Sequence, residues 1–175
     1  MHVYLSRRFQ LLFLLMLLTA CGGVPLAEVD LAPLLVQPGN LPAGVTAAQV
    51  STEPPEMFRD VPEPQQAIHQ QFERRGTQQG GVTVLLYDAP EDGDVAYNVI
   101  AQGMPETRAY VPWVGAAAVG GHRMVNVVGV PIESVDVVFV RCHAVAHIRM
   151  PGTARVQDVR TYAKRLDARL QAQVC

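Results

Sequence analysis

The chain of 175 residues has one lysine, one tryptophan and three serines, and each scarcity excludes something. Its serines are Ser6, Ser51 and Ser134, and none sits in the Gly-x-Ser-x-Gly elbow of an α/β-hydrolase or beside a His–Asp pattern. No Walker loop and no dinucleotide-binding fingerprint occurs either. Fourteen basic residues stand against 16 acidic ones, so the electrostatic footprint of a nucleic-acid binder is missing. The longest apolar run, residues 9–18, is about half of the roughly 20 residues a membrane-spanning helix needs.

What is present begins with Arg7 and Arg8, then the apolar stretch Phe9 to Leu18, then Leu18-Thr19-Ala20-Cys21. A basic n-region followed by a short h-region and a small-residue site has the layout of a signal peptide. Leu18-Thr19-Ala20-Cys21 resembles the lipobox of bacterial lipoproteins. The resemblance implies cleavage before Cys21, a diacylglyceryl group on its sulfur, and export to the bacterial cell envelope outside the cytoplasm. A signal anchor would need a longer apolar run, and an ordinary secretory signal seldom ends on a cysteine placed this way. Removing residues 1–20 leaves 155, enough for one domain. Arg7 and Arg8 leave as well, so 12 basic residues face 16 acidic ones, a net charge of −4 with histidines neutral. No polybasic patch accompanies the anchor, so membrane attachment would rest on the acyl chains at Cys21.

Residues 22–64 are rich in proline and glycine, yet Leu31, Leu34, Leu35, Val36 and Leu41 are too apolar for a plain linker. The expected organisation is a signal peptide over 1–20, a lipid-attached tether over 21–30 and a single domain over 31–175. Within it, a helical turn is expected around 31–36, followed by extended chain. Val82 to Tyr87 is β-branched and aromatic and predicts a strand. Residues 67–75 alternate weakly and, being Gln-rich, would also suit a helix, but a hairpin of 67–76 with 82–88 across a turn at Gly80-Gly81 is the economical reading. Pro90, Glu91 and Asp92 open a helix that Gly103 ends. Segments 109–119, 124–130, 135–141 and 144–150 predict further strands. Val156, Val159, Ala163, Leu166 and Leu170 then recur at helical spacing, with Thr153 placed to cap that helix.

These elements predict an α+β domain, an antiparallel sheet of five to six strands with two main helices packed on one face. In element order, and in fragments such as Gly81-Val82-Thr83-Val84 and Val137-Val138-Phe139-Val140-Arg141, residues 65–175 are similar to small sheet-and-helix lipoproteins. They are similar also to the extracellular sensor domains of actinobacterial receptor kinases. The likeness carries no diagnostic motif, so it implies no functional residue.

Cys142 and Cys175 form an even pair once Cys21 is lipidated, in a compartment that permits disulfides. A strand from Cys142 to Met150 rises roughly 26 Å, and a helix from about 155 to 172 returns roughly 27 Å. The chain end thus comes back to the level of Cys142, as a disulfide requires. Two unpaired thiols or a catalytic thiol are the alternatives. His143 and His147 have the spacing of a helical metal pair, but on a strand their rings lie about 13 Å apart, too far for one metal. His122, beside Gly120-Gly121, is expected in a loop. Asp88, Glu91, Asp92 and Asp94 lack the terminal glutamate of a calcium loop and suit a helix N-terminus instead. Tyr110 and Trp113, with Gly115-Ala-Ala-Ala, could line a pocket or form a tightly packed strand.

The expectation is therefore a lipid-anchored domain with no cofactor or metal. It is expected to be non-enzymatic and to bind an envelope protein or a small apolar ligand. A purely structural lipoprotein and a divergent enzyme using His143, His147 or Cys142 are the rivals.

Overall fold

The computed structural model describes residues 26–104, 109–127, 130–152 and 155–175. The signal-like segment, Cys21, Gly22 to Pro25 and Thr153 lie outside the described residues. Packing against the domain begins at once: Leu26–Glu28 forms a 3-10 turn and Val29 is buried.

Among the described residues seven strands make one antiparallel sheet: β1 (Val45–Ser51), β2 (Gln66–Arg74), β3 (Thr77–Leu86), β4 (Ala109–Tyr110), β5 (Ala117–Val127), β6 (Val130–Arg141) and β7 (Ala144–Pro151). Their spatial order is β1-β2-β3-β7-β6-β5-β4. The α+β class and the antiparallel sheet are as expected; the strand number is larger. β1 is the addition, drawn from the proline-rich segment and paired to β2 through a bulge between Ala47 and Val50. The expected strand 124–130 is not separate. β5 runs without interruption through Gly120 and Gly121 to Val127.

The β2–β3 turn is also relocated. Arg75 and Gly76 both have positive φ, at 54° and 73°, which is what a two-residue hairpin turn asks for. Gly80 and Gly81 lie inside β3. A Cβ on Gly80 would sit 2.2 Å from the Arg149 carbonyl oxygen, so close packing demands glycine there, not a turn.

Helix α1 (Pro90–Gln102) and helix α2 (Arg160–Val174, entered through a 3-10 turn at Val156–Val159) cover the sheet on opposite faces, not on one. Alternation along the strands shows why. Val82, Val84 and Leu86 pair with Ile148, Ala146 and Ala144, and these in turn with Val137, Phe139 and Arg141. On that face α2 packs with Ala163, Leu166 and Leu170, and the entering segment with Leu31, Leu34 and Val36. Leu85, Val145, Val138 and Val140 point the other way and receive Ala96 and Ile100 of α1 with Phe58. Both faces need covering because Val137 to Val140 is apolar throughout, as in a strand buried on both sides.

The end of α2 is pinned. Cys175 is joined to Cys142, with Cα atoms 5.6 Å apart. Arg141 adds a bidentate pair, Nε and Nη2 donating to Asp167 Oδ1 and Oδ2 at 2.7 Å each. Among the described residues no helix is long and apolar enough to cross a membrane.

Candidate functional site

On the α1 face the sheet is apolar at one end and ionic at the other. The change falls along β7: Val145 packs under α1, then His147 and Arg149 follow on the same face. Directly opposite Arg149 on β6 is Asp136, fully buried. Arg149 donates Nε to Asp136 Oδ1 at 2.7 Å, and Arg123, from β5, donates Nε to Oδ2 at 2.8 Å. Arg123 also donates Nη2 to the Gly103 carbonyl at 3.2 Å. That carbonyl ends α1, where the helix dipole is negative and a guanidinium is favoured.

His147 lies beside this trio, its Nε2 3.7 Å from Asp136 Oδ1, its ring edge-on to Phe58 at 5.6 Å between centroids. Next along the row is Thr83, and then His69, whose Nδ1 is 2.9 Å from Thr83 Oγ1. Burial is the largest influence on His147 and pushes its pKa down to about 4; Asp136 pulls upward, and the nearby arginines and His69 add to the fall. Burial also lowers His69, against a backbone hydrogen bond at Val82. For Asp136, burial works to raise the pKa. His147, when charged, together with the hydrogen bonds and charges of Arg149 and Arg123, outweighs it and holds the carboxyl below its ordinary range. At neutral pH the cluster thus holds one carboxylate, two guanidinium ions and a neutral imidazole, one positive charge in excess.

A cleft of about 200 Å³ opens over this floor. Met57, Val99, Ile100 and Met104 make its apolar wall; Arg123, Asp136, His147 and Arg149 make its base. Asp60 lines the cleft as well, exposed, with Oδ1 3.8 Å from Arg59 Nε. Arg123 and Arg149 are partly exposed, at 31% and 26% of their side chains, so the charge reaches solvent through the cleft. Two roomier furrows, one beside Asn40, Thr161 and Arg165 and one between Thr52 and Ala67, are lined largely by exposed side chains and hold no comparable buried charge.

The residues singled out from sequence fall elsewhere, except His147. His143 lies in the two-residue β6–β7 turn, as expected, its Nδ1 3.1 Å from the Tyr87 carbonyl. Tyr110 is exposed on the two-residue edge strand β4. Trp113 lies in the turn before β5, half-buried, with the Arg160 guanidinium 5.8 Å over its ring. Among the described residues neither aromatic lines a described cleft, because the segment turns at Gly115 (φ 65°) instead of running on as a strand. His122 is in β5, not a loop. Asp88, Glu91 and Asp92 are exposed about the start of α1, and no group of three His, Cys, Asp or Glu side chains suited to a metal occurs among the described residues.

No protein-family model and no curated protein matches the chain. A crystal structure of a protein from Bacteroides thetaiotaomicron VPI-5482 aligns with 69% of this chain at 9% identity and a TM-score of 0.34. The chain spans 40% of the length of that protein. A likeness of this size carries no argument about fold or function.

Proposed function

We propose that this chain is a lipid-anchored, extracytoplasmic binding domain of the bacterial cell envelope, attached through a diacylglyceryl group on Cys21, and that it is not an enzyme. The reading is supported by the lipobox-like Leu18-Thr19-Ala20-Cys21 and by a cleft equipped for holding, not for reacting. Asp136 is fixed by two arginines, and His147 is packed edge-on against Phe58 beside it. The observation that carries the binding function is the excess positive charge at the floor of a small, half-apolar cleft. Such a site suits a small ligand with a short apolar body and an anionic group.

Native mass spectrometry of the protein extracted from its own membrane tests this. The wild type is expected to keep an adduct that leaves on denaturation. Val99→Trp, which fills the cleft from its half-exposed wall, should lose it while keeping the wild-type circular dichroism. A bare polypeptide in both cases would overturn small-ligand binding and shift the weight to a protein partner. Val50 on β1 and Tyr110 on β4 then offer apolar side chains at the two sheet edges.

A further inference from the structure

We infer that the tether holds the domain with one end of its sheet toward the bilayer, so that the cleft faces the aqueous compartment and draws its ligand from there and not from the lipid. This rests on the lipid attachment at Cys21 proposed above.

The tether is short. Five residue steps separate Cys21 from Leu26, and an extended chain of that length reaches at most about 18 Å. Leu26 is itself fixed: its carbonyl accepts a hydrogen bond from Gln66 Nε2 at 2.8 Å. Gln66 is opposite Leu86, and Leu86 opposite Ala144, so the anchored end is the end where β2 begins, β3 stops and β7 starts. From Leu26 the chain climbs away along β2, reaching Gln70 Oε1 through the Val36 amide at 2.8 Å.

The cleft lies at the other end. Arg149, opposite Asp136, is five residues along β7 from Ala144, roughly 17 Å at about 3.3 Å per residue. Helix α1 covers the same distance from the other side. It starts four residues after Leu86 and ends at the Gly103 carbonyl that holds Arg123. A ligand lying in the bilayer would have to leave it to reach this floor.

Charge decides how the attachment is made. Glu28, Asp30, Glu63, Asp88, Glu91 and Asp92 are exposed near the anchored end, and anionic headgroups repel such a surface. The tether, not the protein face, therefore makes the attachment, and the domain without its lipid should not bind vesicles.

The test places the lipidated, isotope-labelled protein in phosphatidylcholine nanodiscs doped with a few per cent of a gadolinium-chelate lipid. Amide signals of Leu86 to Ala89, Glu91, Asp92 and Arg141 to Ala144 should broaden, while those of Gly103, Arg123, Asp136 and Arg149 stay sharp. Strong broadening at the second group, or equal broadening of both, would overturn the orientation in a protein still shown by mass to carry lipid. A wild-type chain without lipid by mass would instead remove the anchoring itself, and the orientation with it. The mature chain made without residues 1–20 and carrying Cys21→Ser serves as the unanchored reference and should show no broadening at either group; broadening at the cleft in this variant would contradict a ligand drawn from the aqueous side.

Discussion

Arg149 and Asp136 face each other across neighbouring strands, and the guanidinium of one holds the buried carboxylate of the other through Nε at 2.7 Å. A cross-strand pair on a covered face is a fixed geometry, set by register before any side chain chooses a rotamer. Removing the carboxylate charge leaves two guanidinium groups against a largely buried floor. Asp136→Asn should therefore destabilise the domain by about 2–4 kcal/mol in urea unfolding. A loss below about 0.5 kcal/mol would show that the cluster is not held together by charge.

The pH dependence follows from His147. Its folded pKa, about 4, lies below the ordinary 6.5, so between those values the unfolded chain takes up a proton that the folded chain refuses. Stability from this group is complete above about pH 6.5 and is lost as pH falls toward 4, by about 3 kcal/mol over the window. His69, lowered in the same direction, adds to the slope. Urea unfolding between about pH 7 and about pH 4.5 should show the decline, and His147→Gln should flatten it. Equal slopes in wild type and variant would contradict the assignment.

How far all this was legible depends on the residue. The β6–β7 hairpin and α2 could be read from their β-branched and helical spacing, and the Cys142–Cys175 bond from strand rise against helix return. β1 was harder, because Val45-Thr-Ala-Ala-Gln-Val-Ser51 is short, alanine-bearing and set among prolines. The opposed helices had a signal. Val137-Val138-Phe139-Val140 does not alternate, and an unalternating strand is buried on both faces. The site had one too: Asp136 and Arg149 are lone charges in otherwise apolar strand segments, positions where a charge must find a partner. Their pairing follows from the hairpin register, which sets Arg141 opposite Ala144 and so Asp136 opposite Arg149; what was not legible is Arg123 joining them, since that depends on β5 pairing with β6.

Gly93 sits in the first turns of α1, buried against the sheet. A Cβ there would meet Tyr87 at 3.7 Å and Val140 and Val145 at 3.9 Å, ordinary contact distances. The helix gains from alanine and nothing must move. Gly93→Ala should raise stability by about 0.5–1 kcal/mol in thermal or chemical unfolding. Destabilisation would mean that α1 packs closer to Tyr87 than described.

The disulfide closes a loop of 33 residues in separation, holding the end of α2 to the β6–β7 turn. In the chain-entropy view this contributes about 3–4 kcal/mol. Cys175→Ser, or reduction of the wild type, should lower the unfolding midpoint accordingly, and hydrogen exchange should rise first in the last turns of α2. A midpoint unmoved by reductant would contradict a structural role for the bond.

The account turns on Cys21, and the intact mass of the protein extracted from its own membrane tests it most directly. The predicted result is a chain that begins at Cys21, carries a diacylglyceryl group on that sulfur, and is two hydrogens lighter for the Cys142–Cys175 bond. A chain that retains residues 1–20, or one that begins at Cys21 with a free thiol, would contradict it.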